Sequence, residues 1–247
     1  MVIKMIDIHC HILPGMDDGS GNFSDSIEMA QLAASSGIHT IVATPHCNVP
    51  NVFENYWTPE VQSALDRLQE ALNARKIPVT LLPGQEIFLA SDFLPLIKQG
   101  KLIPINHSRY LLVEFKTFEN PSVAIRKLQR IVAEGYIPIV AHPERYSFVH
   151  EHEDMVYRMK ELGCLIQINK GSLKGRFGHT ATKIAYEILG SRDADFVASD
   201  GHSQYSRTPY LADAYEIVSE CFSPDYADFL LKYNPQKVLK NEKVYAF

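Results

Sequence analysis

Short apolar segments of strand length alternate along the chain with segments in which apolar residues recur at helical spacing. Seven segments are predicted to be strands: Met5–Ile8, Ile38–Ala43, Val79–Leu82, Tyr110–Phe115, Ile137–Ala141, Cys164–Ile168 and Asp195–Ala198. Strands that alternate with helices through a whole chain are parallel and are joined by helical crossovers. The pattern therefore predicts one α/β domain over residues 1–247. Seven strands suit a closed barrel and a doubly wound sheet equally well, and periodicity alone does not choose between them.

Capping and stop signals place the helices between these strands. Ser24–Ser36 carries apolar residues at helical spacing and is followed by a glycine, a common C-terminal stop. A polar capping residue followed by proline predicts four more helix starts, at Thr58, Asn120, Ser223 and Asn234. Helices are also predicted over Glu153–Leu162 and Thr180–Leu189. The segments Asn48–Trp57 and Gly171–Gly178 are predicted to be long loops beside a site.

Polar residues with metal-binding side chains follow nearly every predicted strand at its carboxyl end. These strand ends supply His9, His11, His46, Glu86, Glu114, His142, Asp200 and His202, and the loop after the first strand adds Asp18. Loops beyond the carboxyl ends of parallel strands build the active sites of α/β folds. So many ionisable groups are costly to bury without a partner, and a metal is the simplest partner. Nine candidate ligands are too many for one ion, and two or three metals sharing carboxylates fit better.

The chemistry of this set narrows the choice of metal. Mixed imidazole and carboxylate ligands suit Mn²⁺, Fe²⁺ or Zn²⁺ better than Ca²⁺, and the scarcity of thiols argues against a structural zinc site. Asp17, beside Asp18, has two interpretations: a partner that orients a ligand, or a turn residue.

Composition adds several exclusions. Hydrophobic residues make up 46% of the chain, charged residues 21%, and the net charge of −5 disfavours non-specific nucleic-acid binding. No apolar run approaches the ~20 residues of a membrane span, and the N-terminus lacks a signal-peptide layout. The four cysteines, Cys10, Cys47, Cys164 and Cys221, are scattered without a CxxC pair. We therefore expect reduced thiols, a cytoplasmic location and no membrane insertion.

The motifs DIHCH, DDG, TPH, GQE, LLVEF, AHPER and ASDGH occur in this order. In order and spacing they resemble the PHP (polymerase and histidinol phosphatase) superfamily. Within it, MIDIHCHILPGMDDGS, ATPH, PGQEI and IVAHPER resemble the bacterial tyrosine-protein phosphatases encoded with capsule and exopolysaccharide genes. The resemblance covers essentially the whole chain from Met5, which we therefore expect to be an alternative start. It implies a distorted, TIM-like (β/α)₇ barrel with a trinuclear, usually manganese, centre, with Fe²⁺, Zn²⁺ or Mg²⁺ as other candidate ions.

The resemblance also implies a role for each site residue. The metal ligands are implied to be His9, His11, Asp18, His46, Glu86, Glu114, His142, Asp200 and His202, and the phosphate-binding residues Arg145 and Arg207. A hydroxide bridging two metals would attack phosphorus, while the arginines hold the non-bridging oxygens through bidentate contacts. The implied partner is a phosphotyrosine-containing protein, the tyrosine-rich tail of a bacterial kinase that controls polysaccharide export.

Two rival functions share these residues. One is a phosphatase for histidinol phosphate or another small phosphomonoester. The other is a metal-stabilised module without activity that binds a tyrosine kinase. The cysteine-dependent mechanism of other tyrosine phosphatases is excluded, because it needs an arginine six residues after the cysteine. The residues at that distance are Met16, Phe53, Lys170 and Ala227. The oligomeric state is not predicted.

Overall fold

A computed structural model describes residues 4–90, 93–152 and 154–247. The strand segments among these residues are β1 (Met5–Cys10), β2 (Ile38–Ala43), β3 (His46–Cys47), β4 (Thr80–Pro83), β5 (Glu86–Phe88), β6 (Tyr110–Glu114), β7 (Ile137–Ala141), β8 (Leu165–Asn169) and β9 (Phe196–Ala198). All of the strand pairs are parallel. Each predicted strand is found, with ends that shift by at most two residues.

Beyond the ends of two of the seven predicted strands, a two-residue gap is followed by a short further strand segment that was not predicted, and the two gaps lie at the same level. Thr44 and Pro45 separate β2 from β3, and Gly84 and Gln85 separate β4 from β5. The interruptions lie side by side, since β2 pairs with β4 and β3 pairs with β5. A Cβ atom at Gly84 would lie 2.6 Å from a methyl carbon of Val42, so this kink requires glycine. Nine segments thus form seven strands.

The strands close into a barrel. Hydrogen bonding gives the orders β4-β2-β1 and β3-β5-β6-β7-β8-β9. Beyond the end of β9 the chain meets β1: the amide of Asp200 donates to the carbonyl of His9 at 2.9 Å, and the amide of His11 donates to the carbonyl of Gly201 at 2.8 Å. This seam joins the first strand to the last. The predicted distorted (β/α)₇ barrel is confirmed, and the doubly wound sheet is not formed.

Helices surround the barrel. They are α1 (Phe23–Ser35), α2 (Pro59–Ala74), α3 (Phe93–Lys98), α4 (Pro121–Ala133), α5 (Ser147–His150), α6 (Met155–Glu161), α7 (Lys170–Leu173), α8 (Gly178–Gly190), α9 (Ala212–Cys221), α10 (Pro224–Asp228) and α11 (Asn234–Leu239). A π-helical turn over Phe229–Tyr233 joins α10 to α11. Within the described part of the chain, no helix combines the length and the apolar character needed to cross a membrane.

Side chains alternate along the strands between two apolar regions. On β6, Tyr110 and Leu112 belong to the barrel interior, whereas Leu111 and Val113 belong to the layer between strands and helices. Val238 of α11 joins the interior cluster, and the Tyr110 hydroxyl donates to the carbonyl of Glu242. The C-terminal segment therefore packs against the interior cluster, and the carboxyl ends of the strands are left for the site.

Several local predictions were wrong. Thr58 makes no capping hydrogen bond with its side chain, although Pro59 begins α2 as predicted. Asn234 does not cap α11. It is itself helical, and its side-chain amide Nδ2 donates to the backbone carbonyl of Asp195 at 3.0 Å. The predicted loop Gly171–Gly178 begins inside α7, whose first turn is capped by the side chain of Asn169. The predicted start of a helix at Glu153 lies outside the described residues.

The seam contains a buried carboxylate. Asp7 on β1 is fully buried and accepts hydrogen bonds from the backbone amide of Ser199 at 3.1 Å and from its hydroxyl at 2.5 Å. A third bond comes from the amide of His9 at 3.3 Å. Burial raises the pKa of Asp7, and the bonds from Ser199 oppose that increase. The hydroxyl of Ser199, directly after the last strand, therefore links that strand to the first strand through the buried carboxylate of Asp7.

We predict that Ser199→Ala lowers the free energy of unfolding by about 1–3 kcal/mol, because an oxygen of Asp7 loses its partner inside the protein. Urea denaturation of the wild type and the variant measures this difference. The matched control is Ser219→Ala, since the buried hydroxyl of Ser219 has no hydrogen-bond partner among the described residues. Equal losses in the two variants would contradict the role of the Asp7–Ser199 bond.

Candidate metal centre

Four buried side chains converge at the carboxyl end of the barrel. His9 lies on β1, His11 directly follows it, Glu86 begins β5 and Asp200 follows β9. All four are fully buried, and each offers one ligand atom within 4.8 Å of the others. Ligands about 2.0–2.2 Å from a single ion lie within roughly 4.4 Å of one another. The ligand atoms of His11, Glu86 and Asp200 lie 3.2–3.4 Å from His9 Nε2, so the group has the dimensions of a site for one ion.

The oxygens at the middle of this group have no hydrogen-bond partners within the described ranges. Glu86 Oε2 lies 3.2 Å from His9 Nε2, 3.3 Å from His11 Nε2 and 3.0 Å from His46 Nδ1, but none of these contacts has hydrogen-bond geometry. Asp200 Oδ1 is likewise unpartnered, at 3.4 Å from His9 and 3.3 Å from His11. Buried lone pairs that face one another in this way are satisfied by a cation, so these residues fit a metal.

Hydrogen bonds on the outer side fix the orientation of the first two imidazoles. His9 Nδ1 lies 2.8 Å from Gln167 Oε1, and His11 Nδ1 lies 2.6 Å from Asp17 Oδ2. Each Nδ1 faces its acceptor, so the two Nε2 atoms, 3.2 Å apart, are directed at the centre as candidate metal ligands. Asp17 also accepts the amide of Gly19 at 2.9 Å. Asp17 thus fulfils both interpretations made from the sequence, as a partner of a candidate ligand and as a turn residue.

Two further groups adjoin the first. One contains His11, Asp18, His46 and His202, and the other contains His46, Glu86 and Glu114. Each shares at least one residue with the first group, so the three form one continuous cluster. Such sharing matches the expectation of two or three ions with common ligands, which stays a prediction.

His46 and His202 have different electrostatic surroundings within this cluster. Burial disfavours the charged form of His46, but the carboxylates of Glu86 and Glu114 outweigh it and raise the pKa of His46 to about 10. Burial lowers the pKa of His202, and the charge of His11 adds to that effect. The ring of Phe53 stacks on His46, with 5.8 Å between centroids and 8° between planes. A proton or a metal must therefore accompany His46 beside its two acids.

His142 lies at the edge of the cluster. Its Nε2 atom is 2.8 Å from Glu86 Oε1, while its Nδ1 atom has no partner in the described part of the chain. Burial and the nearby charge of Arg145 lower the pKa of His142 to about 4. A neutral imidazole keeps a lone pair for a metal. Of the nine predicted ligands, His142 is the one that the three compact groups do not include.

The two predicted arginines meet at Asp200. Arg145 Nη1 donates to Asp200 Oδ2 at 3.2 Å, and Arg207 Nη2 donates to the same oxygen at 2.6 Å. Asn169 adds a third bond to that oxygen at 2.6 Å. Burial favours the neutral form of Asp200, but His9 and Arg207 hold its pKa well below the ordinary value. Asp200 therefore directs one oxygen at the imidazoles and the other at the arginines.

Three of the ten non-glycine residues with positive φ in the described part of the chain lie in this centre. His142, Asp200 and Arg207 have φ values of 37°, 49° and 50°, a region that residues other than glycine rarely occupy. Each such residue costs about 1–3 kcal/mol and persists where the surrounding structure imposes it, commonly at functional sites. The strain supports a functional role for this end of the barrel.

Two residues of the centre were given no role from the sequence. Gln167 and Asn169 stand at the end of β8, and their contacts with His9 and Asp200 orient the candidate ligands. Their position at the carboxyl end of a predicted strand was the available signal. An amide side chain does not by itself indicate a metal ligand, so a search for ionisable residues at strand ends did not select Gln167 and Asn169.

The comparisons with known proteins agree with this geometry. The family described as "Capsular polysaccharide synthesis, CpsB/CapC" matches residues 5–240. This chain belongs to the CpsB/CapC family. The resemblance predicted from the sequence motifs is thereby confirmed at the level of the family.

Curated members of the family are similar over their whole length. The tyrosine-protein phosphatase YwqE of Bacillus subtilis (strain 168) is 36% identical over 241 residues, covering 98% of this chain and 94% of YwqE. The tyrosine-protein phosphatase CpsB of Streptococcus pneumoniae is 31% identical over 247 residues, covering 97% of this chain and 100% of CpsB.

Solved structures extend the comparison to the fold. One was solved in work on YwqE from Bacillus subtilis and CpsB from Streptococcus pneumoniae, described as unique metal-dependent tyrosine phosphatases. It matches with a TM-score of 0.90 and 36% identity, covering 98% of this chain and 97% of that one. Histidinol phosphate phosphatase from Lactococcus lactis matches with a TM-score of 0.58 and 14% identity, covering 94% of this chain and 98% of that one, which shows a shared fold alone.

We predict that Asp17→Asn weakens Mn²⁺ binding about 10- to 100-fold, because the ring of His11 loses the carboxylate that orients it. Isothermal titration calorimetry measures the affinity directly, without an activity assay. The control is Asp66→Asn, which removes an equal charge from an exposed site that contacts Gln62. An unchanged affinity in Asp17→Asn would show that Asp17 serves only the turn.

Proposed function

We propose that this chain is a metal-dependent protein-tyrosine phosphatase that hydrolyses phosphoric monoesters. One observation carries the proposal: two partly exposed arginines, Arg145 and Arg207, converge on a buried cluster of imidazoles and carboxylates whose inner oxygens are unpartnered. A cluster of cation ligands beside two guanidinium groups suits a phosphate dianion. The names of YwqE and CpsB support the same activity.

The metal ligands that we propose are those predicted from the sequence: His9, His11, Asp18, His46, Glu86, Glu114, His142, Asp200 and His202. We propose that they hold two or three Mn²⁺ ions. Bound metal supplies Lewis-acid polarisation of the phosphoryl group and lowers the pKa of a bound water towards neutrality. The mixture of imidazole and carboxylate donors supports a transition metal of this type.

The residues of the chain provide the remaining chemistry. Arg145 and Arg207 bind the non-bridging oxygens and bring the phosphorus to the centre, and Asp200 holds both guanidinium groups in place beforehand. Asn169 keeps Asp200 from rotating. A tyrosyl leaving group has a pKa of about 10, so it departs with less help from a proton donor than an alkyl alcohol needs. This proposal therefore requires no dedicated general acid.

The rim of the site favours a protein substrate over a small metabolite. Val52, Phe118 and Tyr205 are 63%, 86% and 84% exposed, and they lie on the loops after β3, β6 and β9. These three loops follow carboxyl ends of strands, as does the centre itself. Exposed apolar side chains around a site are typical of protein–protein contact. We propose a phosphotyrosine-containing protein as the substrate, and the tail of a bacterial tyrosine kinase as the partner.

The cysteines support a location in the cytoplasm and a mechanism without thiols. All four cysteines are free, and three of them are buried. Burial raises the pKa of Cys47 and of Cys164 to about 12, so these thiols stay protonated at neutral pH. A protonated thiol is a poor nucleophile. Unpaired cysteines are typical of a reducing compartment.

We predict turnover of a phosphotyrosyl peptide in the presence of Mn²⁺, with kcat/KM at least tenfold higher than for histidinol phosphate. Release of inorganic phosphate measures both reactions. A preference for histidinol phosphate would favour the small-molecule alternative, and the absence of hydrolysis of either substrate would favour the module without activity.

The same assay tests the site. His142→Ala should abolish hydrolysis of the peptide, because it removes a proposed ligand that contacts Glu86. His179→Ala is the matched control, since His179 is exposed at the start of α8. Full activity in His142→Ala would refute the proposed assignment of His142.

We further predict that a chelator inactivates the enzyme and that iodoacetamide does not. The physical reason is that the proposed nucleophile depends on metal, while the buried thiols are protonated. Residual activity after each treatment, followed by addition of Mn²⁺, gives the measurement. If alkylation abolished the activity and chelation did not, the mechanism would depend on a thiol and not on metal.

A further inference from the structure

A cavity of about 390 Å³ adjoins the centre on the side of Arg207. Its walls come from the turn of α7, the residues up to Phe177 that follow it, and the loop from Tyr205 to Thr208. Small-ligand sites in proteins commonly have volumes of about 300–1,000 Å³, so this cavity is large enough for a short piece of a substrate. It shares Arg207 with the proposed phosphate site, and the two are therefore continuous.

The cavity is lined by positive charge. Four basic side chains line it: Lys170, Lys174, Arg176 and Arg207. The lining includes no acidic residue among those described, although the whole chain carries a net charge of −5. Local charge of the opposite sign to that of the whole molecule favours an anionic ligand in this position.

The four cations are not equally available. Lys174 bonds to Asp213 at 2.5 Å, and Lys170 donates to two backbone carbonyls, of Thr208 and Tyr210, at 2.8 Å. Arg207 is bound to Asp200. Arg176 is exposed and has no ion-pair partner among the described residues. Arg176 is therefore the cation that can bind a ligand without giving up another partner.

The backbone brings Arg176 close to the phosphate-binding residues. The guanidinium carbon of Arg145 lies 4.5 Å from the centroid of the Phe177 ring, so Phe177 supports one proposed phosphate ligand. A Cβ atom at Gly171 would lie 2.7 Å from Cε2 of Phe177 and 3.4 Å from Cδ of Arg176. Glycine at this position allows both side chains to lie directly over α7. The cation of the cavity and the two arginines of the centre thus belong to one compact arrangement.

We propose that this cavity is a specificity site for an acidic residue next to the phosphotyrosine of the substrate, and that Arg176 binds its carboxylate. The proposal rests on the proposed function of the centre. With the phosphate held between Arg145 and Arg207, a neighbouring residue of the substrate enters the cavity beyond Arg207. Arg176 then pairs with the carboxylate, while Lys174 stays paired with Asp213.

The test uses two phosphotyrosyl peptides that differ only by glutamate or glutamine at the positions flanking the phosphotyrosine, with Mn²⁺ supplied. For the wild type we expect kcat/KM to be about two- to fivefold higher for the acidic peptide, mainly through a lower KM. The preference should diminish as salt is added, because the pairing is electrostatic and partly exposed to solvent.

Arg176→Gln should remove this preference and leave the hydrolysis of a small aryl phosphate unchanged, because Arg176 lies outside the proposed catalytic machinery. Arg126→Gln is the matched control: it makes the same change in charge at an exposed position of α4 and should keep the preference. Thermal melting of both variants checks that the fold is intact.

The possible outcomes separate this inference from the proposed function. Hydrolysis of both peptides at equal rates by the wild type overturns the specificity site and leaves the phosphatase intact. A loss of aryl phosphate hydrolysis in Arg176→Gln shows that the cavity acts on the phosphate itself and also overturns it. The absence of any hydrolysis by the wild type overturns the proposed function, and this inference with it.

Discussion

The structure depends on the burial of two carboxylates, Glu86 and Asp200, at one end of a parallel barrel. Each is fully removed from water, where an unpaired charge is costly. The chain compensates with imidazoles on the inner side and, at Asp200, with guanidinium groups on the outer side. The kink before Glu86 and the left-handed backbone at Asp200 deliver the carboxylates to this position. In the proposed function, Asp200 contacts both the metal and the phosphate-binding arginines and so couples the two affinities.

Much of this arrangement could be predicted because parallel strands impose a simple rule on the sequence. A buried strand is apolar throughout, and the first ionisable residue after it lies at the functional edge of the barrel. Glu114 at the carboxyl end of β6 and His142 directly after β7 follow that rule. What the sequence could not show was closure, because the seam depends on hydrogen bonds between segments about 190 residues apart, such as the bond from Asp200 to His9.

Local signals failed where tertiary contacts competed with them. Asn234 resembles a helix cap in the sequence, but its side-chain amide donates a buried hydrogen bond to the backbone carbonyl of Asp195 instead. Gly171 resembles a loop residue, but Asn169 caps a helical turn there and a neighbouring aromatic ring needs the space above the glycine. The partners of the imidazoles were equally hidden, since a sequence does not specify that Gln167 faces His9. Such pairings depend on the assembled barrel.

The seam between the first and last strands has a consequence for biosynthesis. His9 and His11 are synthesised about 190 residues before Asp200 and His202. The earlier strands carry His9, His11, His46, Glu86 and Glu114. The centre stays incomplete until the seventh strand joins β1 and adds Asp200 and His202. A nascent or truncated chain therefore carries the parts of the centre without its final geometry. The centre is completed only at the step that closes the barrel.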